Sequence, residues 1–397
     1  MVQNLQYFAF WNFIIRPPRA KYGKEALGPA DFIFDGGKGK RRDVEIKTKR
    51  GSKVQCSHFL PAGRGLNPIP VVIYLHGNAS NRMEAWDVVV PFLKKGVSLF
   101  CFDAAGCGIS EGEYISCGWH ESRDLVDIIA YLRKSPFCGP IAIWGWSMGA
   151  VTALLYAESD DTITAMCLES PFASLRRVCE DLATSGTHIG IQLPNWLVEP
   201  VYSIVRAQVR SLAFFDTDEV IPANCACNVR TPAIFITRKD DSFIRPQHMV
   251  DILASYAGDK QHLVLEGDHS CTRSAEDIQR VVDFFCRSFV PHSLAAELLT
   301  GCSGKHVTFA PDRMQEEPIY MSQRIPWRQP EEYELAPVGR EPTRSMPRCL
   351  DSSGLDFPEP KPLHTFDTGS TETELLPPMR ASPALGITRM QKLHSNP

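Results

Sequence analysis

What the chain lacks narrows its class first. It has no run of about 18 apolar residues, so no membrane-crossing helix is expected. Neither sign of charge dominates, because 42 Lys and Arg stand against 46 Asp and Glu. Nucleic acid and anionic membrane therefore meet no polybasic field, and no nucleic-acid partner is expected. No Gly-x-Gly-x-x-Gly follows an early strand, and the phosphate loop ending in Lys-Ser/Thr is absent. Both absences argue against a nucleotide or redox enzyme. There is no His-Glu-x-x-His cluster, and Cys225-x-Cys227 has no second pair at zinc-finger spacing. No cofactor and no metal are expected.

The cysteines that are present read as reduced. They number 13, an odd count, and Cys101 and Cys167 sit inside apolar strand-like runs. Free thiols pack there as small hydrophobes, which suggests a reducing, cytoplasmic compartment. Asn78-Ala79-Ser80 matches a glycosylation acceptor, yet a glycan there would obstruct the site read below.

At 397 residues and 44% apolar content, the chain can bury a core without disulfides or a metal. Proline divides it: 14 of the 30 lie in 301–397. Residues 296–397 are expected to form a disordered or loosely packed tail, open to protein partners. Residues 31–295 then form the folded unit, and 1–30 an N-terminal extension. That extension carries an apolar aromatic stretch from Leu5 to Ile15. It lacks the basic start and cleavage site of a signal peptide, and Met1-Val2 is no myristoylation start. Two readings stand, packing on the domain surface or shallow peripheral contact with a membrane.

Strand candidates recur at regular spacing. Asp31–Phe34, Arg42–Lys47 and Lys53–Phe59 read as an antiparallel edge meander. Val71–Leu75, Ser98–Phe102, Ile141–Trp144, Thr164–Leu168, Ala233–Ile236 and His262–Leu265 follow, most of them apolar on both faces as parallel strands are. Helical periodicity alternates with them at Asn81–Lys95, Glu121–Lys134, Met148–Ala157, Gln247–Tyr256 and Ala275–Phe289. The fold class is α/β, a mostly parallel eight-stranded sheet flanked by helices. About 172–215 breaks the rhythm and reads as a small helical lid, with a flank that touches no substrate as the plain alternative.

Chemistry concentrates in Gly145-Trp146-Ser147-Met148-Gly149, directly after a strand and before a helix. A nucleophilic serine there must sit on a strained turn that lifts its hydroxyl clear, and the flanking glycines avoid collision. The helix start aims N–H groups at the reacting centre. Such a serine needs a base, and the base needs an orienting acid. His269, after the last strand, is the base candidate. Asp240 and Asp241, after the preceding strand, compete as the acid, and Glu169 is a weaker substitute. The N–H of Met148 is one candidate oxyanion donor. The second is that of Asn78, with Ala79 beside it, Gly77 letting the loop turn inward and His76 holding it. Trp146, Met148, Leu193 and Trp196 are candidates for an acyl pocket.

On these segments, YLHGNASN, FDAAGCGISEG, WGWSMGA, LESPFASL, AIFITRKDDSFI and EGDHS, the chain resembles the α/β-hydrolases over about 60–290. Within them it is similar to the broad serine-hydrolase group of membrane-proximal lipid and protein-thioester hydrolases and S9/S33-type peptidases. In such families the acid is followed, after two intervening residues, by Val or Ile, a register that Asp241-Ser-Phe-Ile244 fits and Asp240 does not. The resemblance implies a Ser147–His269–Asp241 triad with Asn78 and Met148 as oxyanion donors. Two departures stand out. Arg238 occupies a position that is usually Gly, and Ala104-Ala105 replaces a common Tyr or Arg. Cleavage of an acyl ester or thioester is expected. An amide-cleaving peptidase is the alternative, and a scaffold on a retained hydrolase fold is the non-enzymatic one.

Overall fold

The computed structural model describes residues 10–290 apart from 64–66 and 189, so the expected tail at 296–397 and the first nine residues lie outside the described residues. In chain order the elements begin with α1 (Phe10–Ile15) and the strands β1 (Asp31–Phe34), β2 (Gly37–Lys47), β3 (Lys53–Pro61) and β4 (Ile69–Leu75). Next come α2 (Trp86–Lys94), β5 (Ser98–Phe102), α3 (Trp119–Arg133), β6 (Cys138–Trp146), α4 (Met148–Ala157) and β7 (Met166–Glu169). The chain continues through α5 (Leu175–Ser185), α6 (Asn195–Ala213), α7 (Pro222–Ala226), β8 (Ala233–Arg238), α8 (Pro246–Ser255), β9 (Lys260–Leu265) and α9 (Ala275–Ser288).

These strands form one sheet in the order β1-β2-β3-β5-β4-β6-β7-β8-β9. Pairing is antiparallel from β1 to β5 and parallel from there to β9. The sheet thus has nine strands among the described residues, not the expected eight. Each of the nine strand candidates in the sequence has its counterpart here, the first of them, Asp31–Phe34, as the edge strand β1. Phe32 of β1 is buried edge-on against Phe59 of β3, 6.1 Å between ring centres. Gly39 opposite leaves room for it, since a Cβ there would fall 2.4 Å from the Phe32 ring.

Side-chain alternation builds the two outer layers. On β4, Val71, Ile73 and Leu75 join one core with helices α3 to α8, while Val72 and Tyr74 join a second core with α2 and α9. The 172–215 segment is helical. It packs on the first core through Leu175, Val178 and Leu182 of α5 and through Val205 and Val209 of α6. α1 joins the same core with Ile14 and Ile15. The segment after it is pinned to the loop following β5. Arg19 donates to the carbonyls of Gly108, Gly112, Cys107 and Ser110, and Tyr22 donates to Asp103 at 2.7 Å.

In the second core Phe285 of α9 meets Phe92 and Trp144, 5.8 and 6.4 Å between ring centres. All three are fully buried. Phe285→Ala is expected to lower the unfolding free energy by about 3–5 kcal/mol, read by urea denaturation.

Candidate active site

Four loops converge at the carboxyl ends of the parallel strands, where open α/β sheets place their ligands. They follow β4, β6, β8 and β9. The loop after β6 is the most constrained. Ser147 has φ 51° and ψ −116°, a strained conformation for a residue with a side chain. Its N–H donates to the Glu169 carbonyl at 2.8 Å, and its own carbonyl accepts from Ala150 and Val151. The two glycines of the motif are sterically required. A Cβ on Gly145 would fall 2.3 Å from the Gly149 carbonyl oxygen, and one on Gly149 would fall 2.1 Å from that of Leu75.

His269 reaches both partners. Its Nε2 lies 3.0 Å from Ser147 Oγ and its Nδ1 lies 2.7 Å from Asp241 Oδ2. The carboxylate accepts from Nδ1–H, which leaves Nε2 as the acceptor for the serine hydroxyl. The other carboxylate oxygen, Asp241 Oδ1, accepts from the N–H groups of Phe243 at 3.0 Å and Ile244 at 2.7 Å. Both oxygens of Asp241 are thereby fixed. The rings of Trp146 and Phe243 lie 5.3 and 5.1 Å from the imidazole and restrict its orientation.

The competing acids sit elsewhere. Asp240 bonds the base loop through its own N–H and side chain, meeting Gly267 rather than His269. Glu169 is buried on the far face of the sheet between Arg238 at 3.0 Å and Arg273 at 2.7 Å. Burial pushes its carboxyl up, but the two guanidiniums outweigh burial and hold it below the usual carboxylate range. Arg238, at the position where Gly is usual, is thus one half of a buried charge clamp.

Asn78 and Met148 line a cavity of about 40 Å³ beside Ser147. No loop or turn hydrogen bond among the described residues uses the N–H of either. Both are free to meet an oxyanion. Ala79 holds a positive φ of 58°, and Gly77 lets the loop pass under Trp146, whose ring would lie 2.4 Å from a Cβ there. His76 anchors the same loop, with Nε2 accepting from Ala104 N–H at 3.0 Å and Nδ1 2.7 Å from the Gly77 carbonyl.

The rest of the cavity wall is apolar and differs from expectation. Leu193 and Trp196 are not part of it, because α6 buries Tyr202, Val205 and Val209 and leaves Trp196 77% exposed. Trp146 is also absent, being turned to His269 and Gly77. α5 supplies the wall instead, through Leu175, Val178, Cys179 and Leu182. Sequence reasoning missed Phe13 and Ile14 of α1, which close it from the N-terminal side. The one local signal was the Arg and Tyr pattern after the aromatic stretch, which staples α1 in place. Two thiols face the cavity. Burial pushes Cys179 up to about 12 and Cys117 well above the usual thiol range, so neither supplies a thiolate to compete with Ser147.

A strained serine on a strand-to-helix turn, in line with a histidine and a carboxylate above a parallel sheet, is the arrangement of an α/β-hydrolase. The chain belongs to the alpha/beta hydrolase family, whose model matches residues 72–293. It is similar to the uncharacterized protein YqkD of Bacillus subtilis, 29% identical over 220 residues, or 54% of this chain and 70% of that one. It is similar to the lysophosphatidylserine lipase ABHD12 of Gallus gallus, 30% identical over 27% of this chain and 29% of that one. Among solved structures it shares the fold of an esterase of Pyrococcus furiosus, with TM-score 0.52, 21% identity, and coverage of 70% of this chain and 98% of that one.

Two outcomes follow from the turn and the clamp. Gly149→Ala is expected to cost about 3 kcal/mol or more, or to prevent folding, as read by thermal denaturation. The lowered Glu169 carboxyl contributes stability that is full above the unfolded carboxylate range and lost as pH falls through the lower folded value. Unfolding free energy should therefore fall on acidification, with a shallower slope in Glu169→Gln.

Proposed function

We propose that the protein is a serine hydrolase that cleaves an ester or thioester of an acyl chain. The observation that carries this reading is the unbroken hydrogen-bonded line from Ser147 Oγ through His269 to Asp241, beside an apolar cavity. His269 takes the hydroxyl proton as Ser147 attacks the carbonyl carbon. Asp241 holds the imidazole in the required tautomer and stabilises its charged form. The N–H groups of Asn78 and Met148 receive the negative oxygen. The leaving alcohol or thiol takes the proton from His269, and water, activated by the same histidine, then releases the acid.

The acyl chain fits the wall made by Phe13, Ile14, Leu175, Val178 and Leu182. The lipase named among the relatives acts on a lipid, which supports the same substrate class. No helix among the described residues is long and apolar enough to cross a membrane. The cysteine usage supports a cytoplasmic location, and the packing of α1 on the first core supports the surface-packing reading of the N-terminal stretch over membrane contact. One observation favours the amide alternative: Asn78 Oδ1 is buried without a partner and could accept from a substrate N–H.

Steady-state hydrolysis of p-nitrophenyl esters of rising chain length, run beside acyl thioesters and aminoacyl amides, tests the reading. Ser147→Ala and Asp241→Asn are each expected to lower kcat by about ten-thousand-fold or more. Residual turnover near wild type in Ser147→Ala would refute the nucleophile. A preference confined to acetyl esters would oppose the acyl-lipid reading. Phe13→Ala should raise kcat/KM on long esters relative to short ones.

A further inference from the structure

A chain of buried polar side chains runs beneath the site, on the face of the sheet opposite the cavity. Residues of one parity on the parallel strands share that face. Tyr74 on β4, Glu169 at the end of β7 and Arg238 at the end of β8 are therefore brought together there. Glu84, from the turn before α2, begins the line. Its Oε2 accepts from Gly77 N–H at 3.2 Å, and its Oε1 accepts from Tyr74 OH at 2.7 Å. Arg273 continues it, donating from Nη2 to Tyr74 OH at 2.7 Å and from Nε to Glu169 Oε2 at 2.7 Å. Arg238 completes it on Glu169 Oε1 and also donates to the Glu266 carbonyl at 3.4 Å. Two carboxylates face two guanidiniums, so the line is balanced in charge.

Three members also bond the backbone of a functional loop, Glu84 through its side chain and Glu169 and Arg238 through their carbonyls. Glu84 holds Gly77, next to Asn78. The Glu169 carbonyl accepts from Ser147 N–H, and the Arg238 carbonyl accepts from Asp241 N–H at 3.3 Å. Arg273 lies four residues after His269 in the same loop. Its guanidinium also stands over the rings of Tyr74 and Trp144, 5.6 and 5.5 Å from their centres. Arg273 suits this place because a planar fork can bridge two acceptors in fixed directions, as an ammonium cannot. None of the five side chains lines the cavity.

We propose that Arg273 and Tyr74 are positioning residues that lock the oxyanion loop, the nucleophile turn, the acid loop and the base loop into one register. The inference rests on the serine-hydrolase reading. Misplacement of reacting groups by about 1 Å can cost about a hundredfold in rate. Loosening the line should therefore lower kcat while leaving KM, set by the cavity, nearly unchanged.

The test is ester hydrolysis by the full-length protein carrying Tyr74→Phe, Glu84→Gln, Arg273→Lys or Ser147→Ala, with thermal denaturation of each. Tyr74→Phe is expected to lower kcat about 10- to 100-fold with KM within about twofold of wild type. Arg273→Lys should not restore the rate, although it keeps the charge. Should Tyr74→Phe fail to fold, Glu84→Gln, at the outer end of the line, carries the same comparison with a smaller loss. Variants with wild-type kcat and merely lower melting temperatures would overturn the proposal and leave the line a stability element only. Full recovery in Arg273→Lys would overturn it as well. A wild type that turns over no ester would remove the serine-hydrolase reading and this inference together. Turnover by the wild type but not by Ser147→Ala leaves the line to be decided by its own variants.

Discussion

The site depends on a single tight passage of the backbone at Ser147. The residue is held at positive φ because β6 must turn into α4 without room for a wider loop. Gly145 sits against the backbone of Gly149, and Gly149 sits against the carbonyls of Leu75 and His76. The same contacts that force glycine bring the oxyanion loop beside the serine. Strain at Ser147 and proximity of the Asn78 loop are thus two consequences of one packing event. The N–H of Met148 is left unpaired because it opens α4, and it faces the cavity for the same reason.

The sheet then separates two environments. On one face, α1 and α5 enclose an apolar cavity in which burial raises the Cys179 and Cys117 thiols. On the other face, guanidiniums and carboxylates are buried in mutual contact. Ion pairs of this kind add little net stability compared with apolar packing, and breaking one leaves a costly lone charge. Their value here is directional: each fixes a loop that would otherwise hang from a strand end. Asp241 repeats the logic on a smaller scale, with one oxygen on two backbone N–H groups and the other on His269.

Much of this was legible because the signals are local. A strand, a strained serine between glycines and a helix occupy a dozen residues and read as a unit. His269 and Asp241 follow later strands, and the choice of Asp241 over Asp240 came from a register of three residues. Other features depend on contacts that span the chain and leave no local trace. Phe13 meets Phe243, and Ile14 lines the same cavity as Leu182, through folding alone. The 172–215 segment reads as helical from its periodicity, but which helix faces the cavity depends on how α5 and α6 pack. Trp196 therefore stands in solvent while Cys179 faces the cavity. Arg238 looked like a departure from the family pattern until Glu169 and Arg273 appeared beside it.

Intact-mass spectrometry after brief exposure to a fluorophosphonate, followed by peptide mapping, tests most directly whether four distant loops meet as one reactive centre. One phosphonyl adduct per chain, carried by Ser147 and much slower to form in His269→Ala, is the expected result. An unmodified chain, or an adduct on another residue with Ser147 untouched, would contradict it.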